Sequence, residues 1–232
     1  MSTDSNEITY VFHLAHGQTE RIRLHFDPDS FLLRAEPPDP PAAWTRLGFH
    51  VCPHCPLAPA EDRDCPFALA MSGFIPRFDD VYSYEPTKVE VVTEQRTVVA
   101  ERPLQDAMAS IMGLIGATSG CPHLNFFRPM ARFHLPFASE QETLVRAFSI
   151  HLLGEYLRAG GEGEIAIGVQ GLNTRYRAVA TVNQSMAERL RAAFERDAGV
   201  NAIVILDTFA RAVPFVVEEA LRELRPLFDL NA

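Results

Sequence analysis

The stretch HVCPHCPLAPAEDRDCP, residues 50–66, decides how this chain is read. It holds Cys52, Cys55 and Cys65, three of the four cysteines; Cys121 stands alone in SGCPHL, residues 119–124. Each cysteine is followed by proline, at Pro53, Pro56, Pro66 and Pro122. Four cysteines in one local context point to one shared task. Cys52 and Cys55 form the C-x-x-C unit whose two thiolates reach one ion, while Cys65 and Cys121 are single.

The Cys-Pro steps add chemistry. In Cys65-Pro66 and Cys121-Pro122 the proline suits the first position of a helix, which would make each cysteine an N-cap. Main-chain N–H groups and the positive helix end would then lower the thiol pKa towards the metal-binding thiolate. Cys-Pro also closes the bacterial ferredoxin run. Three clustered cysteines plus one remote favour a [4Fe–4S] cluster over zinc, because a zinc ribbon normally supplies two C-x-x-C knuckles. Zinc stays open as the alternative. Two metal-free readings also stay open: four buried cysteines acting as small hydrophobes, and a Cys52–Cys55 redox pair.

Three histidines accompany this set. CPH recurs at Cys52-Pro53-His54 and Cys121-Pro122-His123, so cysteines that meet would bring His54 and His123 together as hydrogen-bond donors to sulfur or as proton carriers. His134 lies in FFRPMARFHLPF, residues 126–137. That aromatic run reads either as a shield around the centre or as an anion- or partner-binding loop.

Working outward, residues 8–14 and 20–26 read as a β-hairpin, with a third strand over 31–34. Residues 88–93 and 96–100 form a second hairpin. His13, His16 and His25 fall on a solvated strand face. A helix is expected from Pro66 to about residue 75. Beyond Pro103 the periodicity turns helical: 104–118, then from the Ser139-x-x-Glu142 capping box to Gly160. Further helices are expected over 165–179 and from a second capping box at Ser185-x-x-Glu188 to Gly199, followed by an amphipathic segment kinked at Pro214. His151 and Glu155 read as an i,i+4 ion pair. The fold class is α+β: an N-terminal antiparallel sheet and a C-terminal helical bundle joined by a four-cysteine metal site. A β-rich part, 1–102, and a helical part, 103–232, form one integrated domain.

With 232 residues the chain can bury a sizeable core. A net charge of −9 offers no basic surplus to displace phosphate counterions, so nucleic acid and anionic membrane surfaces are disfavoured. No targeting segment and no apolar run of membrane-spanning length is read, which points to the cytoplasm, where free cysteines bind metal or do redox chemistry more often than they pair. P-loop, dinucleotide-binding, hydrolase and metalloprotease signatures are missing.

The motifs CPHCPL, DCPFA, SGCP and FHLPFAS, followed by a helical tail, resemble an uncharacterised bacterial four-cysteine family, a domain of unknown function. The resemblance spans roughly residues 20–210 and implies that Cys52, Cys55, Cys65 and Cys121 act together. The function expected is a metal-centre protein in redox sensing, electron transfer or regulation, working with a protein partner or as a homo-oligomer. A zinc-stabilised interaction module, or a metalloenzyme in which His54, His123 or His134 moves protons, is the alternative.

Overall fold

The structure, a computed structural model, describes residues 6–57, 62–160 and 168–228. Four strands form one antiparallel sheet in the order β2-β1-β3-β4. β1 (Glu7–His13) and β2 (Thr19–His25) make the first hairpin; β3 (Pro86–Val92) and β4 (Thr97–Pro103) make the second. The two hairpins join through β1 and β3, where Tyr10 faces Val91 in register and Ile22 on its other side.

Alternation sets the buried face. Ile22 and Leu24 of β2, and Val89 and Val91 of β3, point inward, while their neighbours are solvated or half-buried. β1 is buried through its length from Ile8 to Phe12, on both faces, unlike the equally interior β3. His13 and His25 lie at its rim, paired with Glu90 at 3.2 Å and Glu7 at 3.3 Å. The expected third strand is a single bridge, Phe26 to Leu33. Phe31 adopts φ 55°, a left-handed turn that breaks extension and stacks its ring on Phe26.

The helices are α1 (Pro66–Met71), α2 (Leu104–Thr118), α3 (Arg128–Arg132), α4 (Glu140–Arg158), α5 (Gln170–Ala193) and α6 (Ala198–Arg222). α1 stops at Met71, four residues short of the expected end, and a separate 3-10 turn over Ile75–Phe78 follows. α2 leaves β4 directly and is buried along most of its length; α1 and α6 pack on it, and α5 packs on α6. Sheet and helices therefore share one continuous apolar core. α4 opens on the expected capping box, with Ser139 N donating to Glu142 Oε2 at 2.7 Å and Glu142 N donating to Ser139 Oγ at 3.2 Å.

Two expectations about the helices are corrected. Ser185-x-x-Glu188 does not start a helix: it lies within α5, which runs unbroken from Gln170 to Ala193 and ends before Gly199. The start expected near Ile165 falls outside the described residues. The expectation of no run of membrane-spanning length is also corrected. α6 is, among the described helices, the one long and apolar enough to cross a membrane. Core helices meet the same criterion, and α6 packs against α2 and α5, with Arg211 paired to Asp207 at 2.7 Å and donating to Gln184 of α5 at 3.1 Å.

Candidate metal centre

The loop that carries the first three cysteines is closed by a short neck. Leu47 N donates to Arg63 O at 2.8 Å and Cys65 N to Thr45 O at 2.8 Å, around a bridge between Arg46 and Asp64. Thr45 Oγ1 adds a bond to Asp64 Oδ1 at 2.7 Å. The neck carries Cys65 back beside the Cys52–Cys55 turn, itself closed by Cys55 N to Cys52 O at 3.0 Å.

Cys121 arrives from elsewhere. Gly120, at φ +85°, turns the chain out of α2, and Cys121 N is held by Ser119 Oγ at 3.2 Å. All four cysteines are free thiols, and all four line one enclosed cavity of about 20 Å³.

The CPH tripeptides meet as well. The His54 and His123 rings stack with centroids 3.9 Å apart. His123 Nε2–H donates to the His54 carbonyl at 3.0 Å, tying the two cysteine loops together. His54 Nε2–H donates to Ala178 O on α5 at 3.1 Å, which leaves its buried Nδ1 without a partner among the described residues. Burial, then the neighbouring His123, lowers the His54 pKa, so this ring is neutral.

His134 is elsewhere. Its Nε2 lies 2.6 Å from the Tyr10 hydroxyl, which in turn lies 2.9 Å from Ser110 Oγ. Burial, with Arg146 adding to it, pushes its pKa down to about 3. It faces a separate, larger cavity of about 570 Å³, as do Phe127, Met130 and Phe137 of the aromatic run. That run therefore does not shield the cysteines, and missing sequence signatures did not mean a missing pocket.

The expected thiol activation is corrected. Cys65 is the N-cap residue of α1 with proline following, but its side chain makes no capping hydrogen bond. Cys121 precedes turns and a short 3-10 segment over Asn125–Phe127, not an α-helix. Burial pushes the Cys121 thiol up to about 11, although the His123 and Leu124 N–H groups offset part of the rise. Burial also raises Cys52, against a smaller opposing effect of the Ser185 hydroxyl. Without a bound cation these two sites hold thiols, not thiolates.

The residue that sequence reading missed is Arg189. It is 2% exposed, lines the cysteine cavity, and donates to the carbonyls of Trp44, Arg46 (2.7 Å) and Leu47 (3.4 Å). No carboxylate lies within ion-pair distance of it among the described residues. Burial lowers its pKa; the neighbouring Cys65, Cys52 and Cys55, and then Asp64, push it back up. Asn183, Ser185 and Arg189 are polar residues buried among the apolar residues of α5, a placement that the sequence alone does not mark.

A family described as a domain of unknown function, DUF6901, matches residues 8–229. The chain belongs to this family. No curated protein and no solved structure matches it. The family match covers all four cysteines of this DUF6901 chain, both CPH histidines and Arg189.

The donor set of this DUF6901 protein is chemically coherent: four thiols that must lose protons to ligate, and one buried cation to offset the charge they would gain. The geometry is less converged. Among the described residues, no group of three or more His, Cys, Asp or Glu side chains is gathered tightly enough to hold a single ion. Tetrahedral zinc, with Zn–S near 2.3 Å, would draw its sulfurs to within about 4 Å of one another. A [4Fe–4S] cluster takes one thiolate on each of four separate irons and lets the sulfurs stand farther apart.

Proposed function

We propose that Cys52, Cys55, Cys65 and Cys121 ligate one metal centre that joins the sheet and the helical part, and that the centre is a [4Fe–4S] cluster. The observation that carries this reading is the meeting, at one cavity, of four free thiols and a buried guanidinium with no carboxylate within ion-pair distance among the described residues. Four thiolates around either type of centre leave a net negative charge, which Arg189 would partly neutralise. His54 and His123 would pin the two cysteine loops and limit solvent access. When bound, a cluster supplies one-electron redox chemistry. The role is then electron transfer, redox sensing or regulation through a protein partner, in a reducing compartment such as the cytoplasm.

The zinc reading keeps one observation in its favour. A cavity of about 20 Å³ has room for one water-sized particle, so a cluster would require the cysteine-bearing segments to stand farther apart. With zinc, the metal would staple the fold of an interaction module.

Anaerobic purification separates the two. Iron with stoichiometric acid-labile sulfide, and visible colour bleached by a reductant, supports the cluster; colourless protein carrying zinc supports the staple.

A further inference from the structure

The second cavity has the character of a ligand site. Its volume of about 570 Å³ falls within the range of small-molecule pockets, and its walls are mostly apolar. The space exists because α2 presents Ala109, Gly113, Gly116 and Ala117 to it. Gly113 shows the point most directly: it is exposed between the buried Met112 and Leu114, and a Cβ built there would find only Leu206, at 3.9 Å. Met130, Phe127 and Phe209 close the cavity from other segments.

Three polar side chains on its walls, Tyr176, Asn183 and Arg146, have unused bonding capacity among the described residues. Asn183 is 3% exposed, and its amide makes no hydrogen bond to any described residue, although it lines the cavity. The Tyr176 hydroxyl on the same wall is buried with no partner among the described residues, and a buried polar group left so is costly unless something else completes it. Arg146, half-buried on α4, spends Nη2 on the carbonyls of Met130 (2.9 Å) and Phe133 (2.7 Å). Its Nε and Nη1 have no partner, and no carboxylate lies within ion-pair distance, among the described residues. Asn183 sits seven residues along α5 from Tyr176, another wall residue, which is about 10 Å of helix.

The geometry points to a binding site for an amphipathic monocarboxylate, its apolar body along α2 and its carboxylate on the free edge of Arg146. The Asn183 amide is left for a hydroxyl or carbonyl on the ligand body. This assignment does not depend on the metal centre; the two cavities share only Phe67 as a common wall residue.

Calorimetric titration of the full chain with dodecanoate, and separately with dodecanol, tests it. Saturable dodecanoate binding is expected, at least tenfold tighter than dodecanol. Gly113→Leu, which fills the cavity and improves helix propensity, should retain or raise the melting temperature and weaken dodecanoate at least tenfold. Arg146→Gln should bring dodecanoate down to the level of dodecanol. Absence of saturable binding, or binding untouched by Gly113→Leu, would overturn the site. Equal affinity for the acid and the alcohol in the wild type would overturn the assignment of Arg146 to the head group.

Discussion

Arg189 donates through Nη1 to the carbonyl of Arg46 at 2.7 Å, joining residues 143 positions apart, and the same guanidinium lines the cavity of the four cysteines. One side chain thus holds the neck of the cysteine loop and sets the charge beside the thiols. Arg189→Met should strip the donors from three main-chain carbonyls and cost about 3 kcal/mol in a denaturant titration. Arg189→Lys keeps the charge but not the fork, so an intermediate loss of stability and a smaller loss of bound metal are expected. Equal metal content in wild type and Arg189→Met would remove the electrostatic role.

The capping box of α4 gives a calibration far from the centre. Ser139→Ala removes the acceptor for Glu142 N and should cost about 1 kcal/mol, with metal content unchanged. A matching loss of metal would mean that helix and centre are coupled.

Gly171 tests the packing of α4 on α5. A Cβ there would stand 2.8 Å from Cε1 of His151, a ring only 3% exposed that also lies 3.7 Å from Glu155. Gly171→Ala should therefore lower stability by roughly 1 kcal/mol, because the overlap outweighs the helix-propensity gain. An increase in melting temperature would show that His151 moves aside freely.

Acid sensitivity follows from His134. Its folded pKa of about 3 lies below the value of about 6.5 expected unfolded. The unfolded chain takes up a proton that the folded chain refuses. Stability from the neutral ring is therefore complete above about pH 6.5 and is lost as pH falls towards about 3. Urea midpoints at about pH 7 and pH 5 should differ more for wild type than for His134→Gln, since His54 and His151, whose pKa values burial also lowers, are common to both. Equal pH slopes would contradict the burial of a neutral His134.

Local signals made much of this fold legible. Strand alternation at Ile22 and Leu24, the turn at Glu94-Gln95, the 104–118 periodicity and the Ser139 capping box each act within a few residues, and each element is where those signals put it. Ser185-Met186-Ala187-Glu188 imitates the same box, but its serine lies buried beside Cys52, so tertiary packing overrides the local motif. The proximity of His54 and His123 was legible from their shared tripeptide. Arg189 was not, because its partners are carbonyls that no sequence pattern marks. The large cavity was not either, since helices α2 to α6 and the loop after α3 must assemble before it exists.

The central claim is that Cys121 shares one centre with the 52–65 cysteines, and the direct test is the metal and acid-labile sulfide content of anaerobically purified wild type against Cys121→Ser. The account predicts a metal-bearing wild type and a variant that stays folded but loses most of its metal. A wild type purified without metal, or a Cys121→Ser variant with unchanged metal content, would contradict it.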